Sequence, residues 1–148
     1  MIPRGYIVNV EAAIVKDGHY LMIIRGEQET HAPGALSLPG GKVEDAGNAD
    51  NILERTLRRE IAEEVGIEAY ADMEYIQSTA FIADDGEPVV NVVFLCQYKA
   101  GTPTLGDSGE VAAIQWMTAE EVLEDPKTPE WTRQTIERAE RKRAGKGW

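Results

Sequence analysis

Apolar and polar positions follow strand periodicity in the first part of the chain and helix periodicity just before its middle. Tyr6 to Val15 is rich in β-branched and apolar residues and predicts a strand. Lys16-Asp17-Gly18-His19 carries the Asp-Gly hairpin signature, and Tyr20-Leu21-Met22-Ile23-Ile24 returns as a second strand. Glu27 to Ser37 reads as a loop, closed by a tight Leu38-Pro39-Gly40-Gly41 element, and Asp45 to Asn51 as a polar surface loop. A helix is predicted from about Ile52 to Val65, with Asn51 or Asp50 as its cap and Gly66 at its end. Tyr75 to Ala83 and Val89 to Tyr98 are two further strands, joined by Asp84-Asp85-Gly86-Glu87-Pro88. Pro103 to Gly109 is a loop and Val111 to Trp116 a short strand, whose Trp116 is expected to pack beneath the helix that follows. Thr118-Ala119-Glu120-Glu121 is a capping box that opens that helix. Thr128-Pro129 starts a last one, with the threonine as cap and the proline at the first helical position. Arg138 to Lys146 is basic and is expected to fray. Strands mixed with two or three helices indicate an α/β or α+β sandwich.

Length and composition narrow the setting. At 148 residues the chain has the size of a single domain, 1–148, large enough for a core. No apolar run approaches the ~20 residues a membrane span needs. The start, Met1-Ile2-Pro3-Arg4-Gly5-Tyr6, lacks the apolar stretch of a signal peptide. Cys96 is the only cysteine, so an intrachain disulfide is excluded; it sits in an apolar strand and reads as core. A cytoplasmic protein is the simple expectation. The formal net charge of −11 disfavours nucleic acid polymers and anionic membranes as partners. It would repel a phosphorylated small molecule too, so a site for one needs local cations, either metal ions or arginines.

The segment Arg59-Glu60-Ile61-Ala62-Glu63-Glu64-Val65-Gly66-Ile67 carries the candidate chemistry. On a helix, Leu53, Leu57, Ile61 and Val65 form one apolar stripe. Glu64 falls within that stripe, Glu60 at its edge and Glu63 further round, the three spanning an arc of roughly 100°. Carboxylates three and four residues apart repel one another, and partial burial adds a desolvation cost. A divalent cation removes both costs, and clustered hard oxygens suit Mg²⁺ or Mn²⁺ rather than zinc. The plain alternative is a solvated acidic face paired to Arg58 and Arg59.

The surrounding residues favour the cation. Gly41 and the run Arg59, Glu60, Ile61, Glu63, Glu64, Gly66, Ile67 resemble the Nudix box, G-x5-E-x7-R-E-U-x-E-E-x-G-U with U a bulky apolar residue. The box then spans about residues 41–67, and the chain is identified as a member of the Nudix hydrolases, the MutT-like pyrophosphohydrolases, with a Nudix-type α/β/α sandwich and a mixed sheet as the implied fold. There are departures. Asn51 stands where the family has a glutamate that orients the arginine, and the stretch from Gly41 to Arg59 is four residues longer than the pattern. Asp45-Ala46-Gly47-Asn48 is the expected extra material. Asn51 could accept from Arg59, or Asp50 or Glu44 could take that role. Leu36 stands where relatives carry an aromatic residue.

The resemblance implies Mg²⁺-dependent hydrolysis of a nucleoside diphosphate linked to another moiety: a nucleoside triphosphate, ADP-ribose or a nucleotide sugar. Glu60, Glu63 and Glu64, helped by the Gly40 carbonyl, are the implied metal ligands, and Mn²⁺ is the alternative ion. Glu63 or Glu64 could act as the base, and Arg59 is placed with them and Glu110 in the catalytic set. Glu110 is a candidate base or extra ligand from another loop, and Glu87 a weaker one. Arg25 resembles the basic residue that grips substrate phosphate, and Gly41 is placed in the substrate-binding set. His19 and His31 read as solvated, and Trp131 as a packing or homodimer contact. A non-catalytic, Nudix-like nucleotide sensor is the alternative function; such proteins usually lose glutamates that are all present here. A role on RNA is disfavoured by the acidic balance, which leaves a small-molecule nucleotide as the expected partner.

Overall fold

The computed structural model describes residues 5–29, 31–106 and 109–148. The leader reading at Met1-Ile2-Pro3-Arg4, and Thr30 and Asp107-Ser108 within the two predicted loops, lie outside the described residues. Eight strands and three helices are found there: β1 (Ile7–Lys16), β2 (His19–Arg25), β3 (Leu36–Ser37), β4 (Gly40–Lys42), α1 (Ile52–Val65), β5 (Glu68–Ala69), β6 (Glu74–Ile82), β7 (Pro88–Ala100), β8 (Val111–Met117), α2 (Ala119–Glu124) and α3 (Glu130–Arg143). The short strands β3, β4 and β5 were not predicted; two or three residues carry no periodicity to read.

The sheet is mixed. β1 and β7 run parallel from Ile7↔Val89 to Val15↔Gln97, and the remaining pairings are antiparallel. Asp17 and Gly18, both at positive φ, close the β1–β2 hairpin as a two-residue turn. Below that turn the two strands separate. They pair directly only at Lys16↔His19 and Val15↔Tyr20; further down, β4 takes β1 as its partner and β3 takes β2. The chain between β3 and β4 therefore runs along a split in the sheet. On its outer side β2 pairs with β8, from Tyr20↔Met117 to Arg25↔Val111.

Strand alternation sends side chains to two cores. On one face Val10, Ala12 and Ile14 of β1 meet Leu57, Ile61 and Val65 of α1. On the other, Ala13 and Val15 meet Val122 of α2 and Ile136 and Ala139 of α3. This is the expected α/β/α sandwich. Cys96 is buried, and burial pushes its thiol up to about 12, as suits an inert core residue. No helix among the described residues is long and apolar enough to cross a membrane.

Four local expectations are corrected. Asn51 precedes α1 in the left-handed conformation, φ 53°, and its side chain caps nothing; the helix is stopped by Gly66, φ 70°, as expected. Thr128 does not cap α3: its hydroxyl donates to the Val122 carbonyl at 2.6 Å, and Pro129 is the residue that precedes the helix. Trp116 turns away from α2, packing edge-on to Tyr98 on the α1 side at 5.7 Å between ring centroids. The basic end does not fray, because three of its cations find acceptors: Arg138 donates to Gln77, Arg143 pairs with Glu140, and Lys146 with Glu74. The capping box at Thr118 and Glu121 forms as predicted.

Candidate active site

A cleft of about 460 Å³ opens at the split between β1 and β2. Glu60 and Glu64 reach it from α1, Gly40 and Gly41 from β4, Arg25 from β2, and Glu110 from the residue before β8. The register explains how residues so distant in sequence meet. Arg25 pairs with Val111 across a bulge, and the Gly26 N–H donates to the Glu110 carbonyl at 2.9 Å, which pins Glu110 beside Arg25. On the other side β4 pairs with β1 through Gly40↔Glu11 and Gly41↔Val10, which sets the two glycines in front of α1.

Backbone approach requires a glycine at 40, and a side chain at 41 would displace the Glu60 carboxylate. A Cβ on Gly40 would run into the Val10 carbonyl oxygen, and one on Gly41 into the Glu60 carboxylate. Arg59 ties β4 to the helix. Its guanidinium donates to Glu60 Oε1 at 3.0 Å, to the Lys42 carbonyl at 3.3 Å and to Glu44 Oε2 at 3.1 Å. Glu44 thus takes the orienting role left open by Asn51, which is exposed; the residues 45–48 between the two bulge into solvent.

The carboxylates make the site electrostatically costly. Burial, and then the negative charges of Glu60 and Glu110, push Glu64 up to about 8, against the Gly40 N–H bond and Arg25. Burial likewise raises Glu60; Arg59 opposes the rise, and Glu63 and Glu110 add to it. Glu63 is exposed on the outer flank of α1 and does not line the cleft, although its charge reaches Glu60. Glu87 stays in the β6–β7 hairpin, away from the cleft. Neither histidine lines it. His19 bonds the Asp17 carbonyl, and His31 stacks on Trp131 at 5.9 Å and meets Asp84 at 3.3 Å. Trp131 remains 56% exposed, with its ring stacked on His31.

These donors suit a hard divalent cation. They are all oxygens, they repel one another, and burial raises the carboxyls of both Glu60 and Glu64, a cost that positive charge would relieve. Among the described residues no three of His, Cys, Asp and Glu already stand at metal-ligating spacing, so the carboxylates share the cleft without closing a cage.

Three wall residues escaped sequence reading. Glu11 and Asn9 line the cleft from β1, and Asn91 of β7 lies behind them. Burial raises the Glu11 carboxyl, with the Asn91 bond and Arg25 opposing. The available signal was a glutamate inside the run Val10-Glu11-Ala12-Ala13-Ile14, where alternation calls for an apolar residue.

The chain matches the NUDIX domain model over residues 5–139. It is similar to a MutT NUDIX hydrolase from Burkholderia pseudomallei, with 30% identity, TM-score 0.75, and coverage of 91% of this chain and 98% of that one. A MutT protein from Methanosarcina mazei Go1 superimposes with TM-score 0.76 at 26% identity, covering 97% and 99%. The phosphatase NudJ of Escherichia coli K12 is 26% identical over 117 residues, 79% of this chain and 71% of NudJ.

Proposed function

The chain belongs to the NUDIX family and is a Nudix hydrolase, and from that premise we propose that it is a Mg²⁺-dependent pyrophosphohydrolase acting on a nucleoside triphosphate, ADP-ribose or a nucleotide sugar. One observation carries this reading: Glu60, Glu64 and Glu110 share one cleft with Arg25, and burial, with the charges of Glu60 and Glu110 added, pushes Glu64 up to about 8.

Glu60 and Glu64, with the Gly40 carbonyl and Glu63 on the flank, would hold the metal. Mg²⁺ bound there supplies neutralisation of the phosphate oxygens and a more acidic water. The chain's own residues do the rest. Arg25 grips a phosphate of the bridge, a role supported by its charge acting on both Glu11 and Glu64. Glu110, pinned at its backbone to Gly26, stands where it can accept a proton from the attacking water. The water oxygen bonds to one phosphorus, the bond from that phosphorus to the bridging oxygen breaks, and the bridging oxygen leaves on the other phosphate. Arg59 holds the Glu60 carboxylate and the β4 backbone in one orientation, so it is a positioning residue.

The test is hydrolysis of a panel of nucleoside triphosphates, ADP-ribose and nucleotide sugars, with phosphate release followed after added pyrophosphatase or phosphatase. Turnover of at least one compound that stops in excess chelator and returns with Mg²⁺ is expected. Undiminished turnover in chelator would remove the metal from the reaction.

A further inference from the structure

We propose that Glu11, held by Asn91 and flanked by Asn9, is the specificity-determining acceptor of the cleft, taking two adjacent hydrogen-bond donors on the organic portion of the substrate.

The starting point is a carboxylate where the fold asks for an apolar group. Val10 and Ala12 on either side of Glu11 are fully buried, and Val93, its partner on β7, is fully buried as well. A carboxylate in such a strand costs free energy unless it is bonded. The bonding is specific and built from two strands. Asn9 Nδ2 donates to Asn91 Oδ1 at 2.7 Å, and Asn91 Nδ2 donates to Glu11 Oε1 at 2.6 Å. Asn9 and Asn91 are direct partners in the parallel β1–β7 ladder, so the relay is set by backbone register.

That relay uses one N–H of each amide and leaves a carboxyl and an amide oxygen to accept. Asn91 fixes Oε1, and Glu11 lines the cleft, so Oε2 is the oxygen a ligand can reach. Asn9 also lines the cleft and has spent an N–H on Asn91, which leaves its Oδ1 to accept. An anionic acceptor beside a neutral one repels phosphate and suits neighbouring N–H or O–H groups. Within the cleft, phosphates would then lie on Arg25, whose charge reaches both Glu11 and Glu64, and a donor-bearing neutral group on the Glu11 and Asn9 oxygens. Two such groups are the adjacent N–H donors on one edge of guanine and the 2′,3′-diol of ribose. The inference rests on the nucleotide reading above, and it adds what selects the nucleotide.

The experiment compares wild type, Glu11→Gln and Asn91→Ala. Glu11→Gln keeps shape and the acceptor for Asn91 but presents an amide to the ligand. The probes are the α,β-methylene analogues of ADP and GDP, uncleavable at that bridge, and their 2′,3′-dideoxy forms, titrated calorimetrically with Mg²⁺ present. Glu11→Gln is expected to weaken the preferred probe about ten- to hundredfold, with melting temperature and affinity for Mg²⁺ alone unchanged. Loss confined to GDP forms assigns the base edge; loss confined to probes with the diol assigns the sugar. Equal affinity of wild type and Glu11→Gln for every probe overturns the proposal. So does a change in Mg²⁺ affinity without nucleotide, since Glu11 would then serve the metal. Asn91→Ala should reproduce the weakening in part, because Glu11 loses its hold. If wild type binds the probes but cleaves no substrate, the pyrophosphohydrolase reading fails and this one stands. If it cleaves a substrate of the panel but binds none of the probes, this proposal fails and the pyrophosphohydrolase reading stands.

Discussion

Two half-buried glutamates on opposite faces of the sheet meet opposite conditions. Glu140 on α3 receives Arg143 Nε at 2.7 Å and the Tyr20 hydroxyl at 2.6 Å. The hydrogen bond from Arg143, joined by Tyr20, outweighs burial and holds its carboxyl below the ordinary range. Glu64 on α1 has burial against it, two further carboxylates near it, and a backbone N–H and Arg25 as partial relief, and its carboxyl rises to about 8. One is a carboxylate whose charge the protein has balanced. The other is a carboxylate whose charge the protein leaves to something that must arrive. The difference separates a structural acid from a functional one by environment alone.

The comparison can be broken by removing each charge without changing shape. Glu64→Gln should lower turnover about 10²-fold or more, while the metal-free protein melts no lower than wild type because repulsion is removed. Glu140→Gln should leave turnover near wild type and cost stability, about 1–3 kcal/mol for weakened bonds to a charged acceptor. Steady-state rates and denaturant titrations of both variants check this; the reverse pattern would undo the distinction.

Crowding the α1 site without touching its charges should come next in size. Gly41→Ala puts a methyl where the Glu60 carboxylate now lies. Displacing that group by about an ångström is expected to cost turnover of the order of 10²-fold or less. A Mg²⁺ titration should show a higher half-saturating concentration, and wild-type behaviour in the variant would mean that Glu60 is free to move.

Proton linkage gives a subtler reading. Glu64 binds its proton more tightly folded than unfolded, so its contribution is full below about 4.5 and is lost as pH rises through about 8. Glu140 binds its proton less tightly folded, so its contribution is present above about 4.5 and is lost as pH falls below that. In chelator, melting temperature against pH should therefore fall on both sides. Glu64→Gln flattens the alkaline side and Glu140→Gln the acid side, and Mg²⁺ should flatten the alkaline side of wild type.

The smallest effects concern the hold on Arg59. Glu44 is exposed, so Glu44→Ala should change stability by only about 0–1 kcal/mol and raise the half-saturating Mg²⁺ concentration a few-fold. Asn51→Glu should leave that concentration unchanged, since Asn51 makes no bond to Arg59 and sits in a left-handed conformation that suits asparagine better than glutamate. A lowered Mg²⁺ requirement in Asn51→Glu would return the orienting role to position 51.

Much of this was legible because it is local. The four-residue spacing of Leu53, Leu57, Ile61 and Val65 gave α1 its bounds, and the Asp17-Gly18 pair gave the first hairpin. The same stripe placed Glu64 inside and Glu63 outside, as the burial of the two residues bears out. What stayed hidden depends on partners far along the chain. Asn91 reaches Glu11 across 80 residues, and only strand register brings them together. Glu44 replaces Asn51 because β4 and Val43, bonded to β1, carry the next residue to Arg59, which no spacing rule encodes. Thr128 has the chemistry of a cap, but its hydroxyl donates to the Val122 carbonyl and Pro129 is the residue that precedes the helix.

The loop at 45–48 also bears on how much sequence spacing matters to a site of this kind. Its two ends are anchored independently: β4 is hydrogen-bonded to β1, and α1 is seated in the core through Leu57, Ile61 and Val65. The chain between them only has to close a gap. The entropic penalty for closing a flexible loop grows with the logarithm of its length, about 0.6 kcal/mol for each doubling. Four added residues therefore weigh little against the burial that fixes either end. The distance in sequence between Gly41 and Arg59 is thus free to drift under selection, while the distance in space between Gly41 and Glu60 is not.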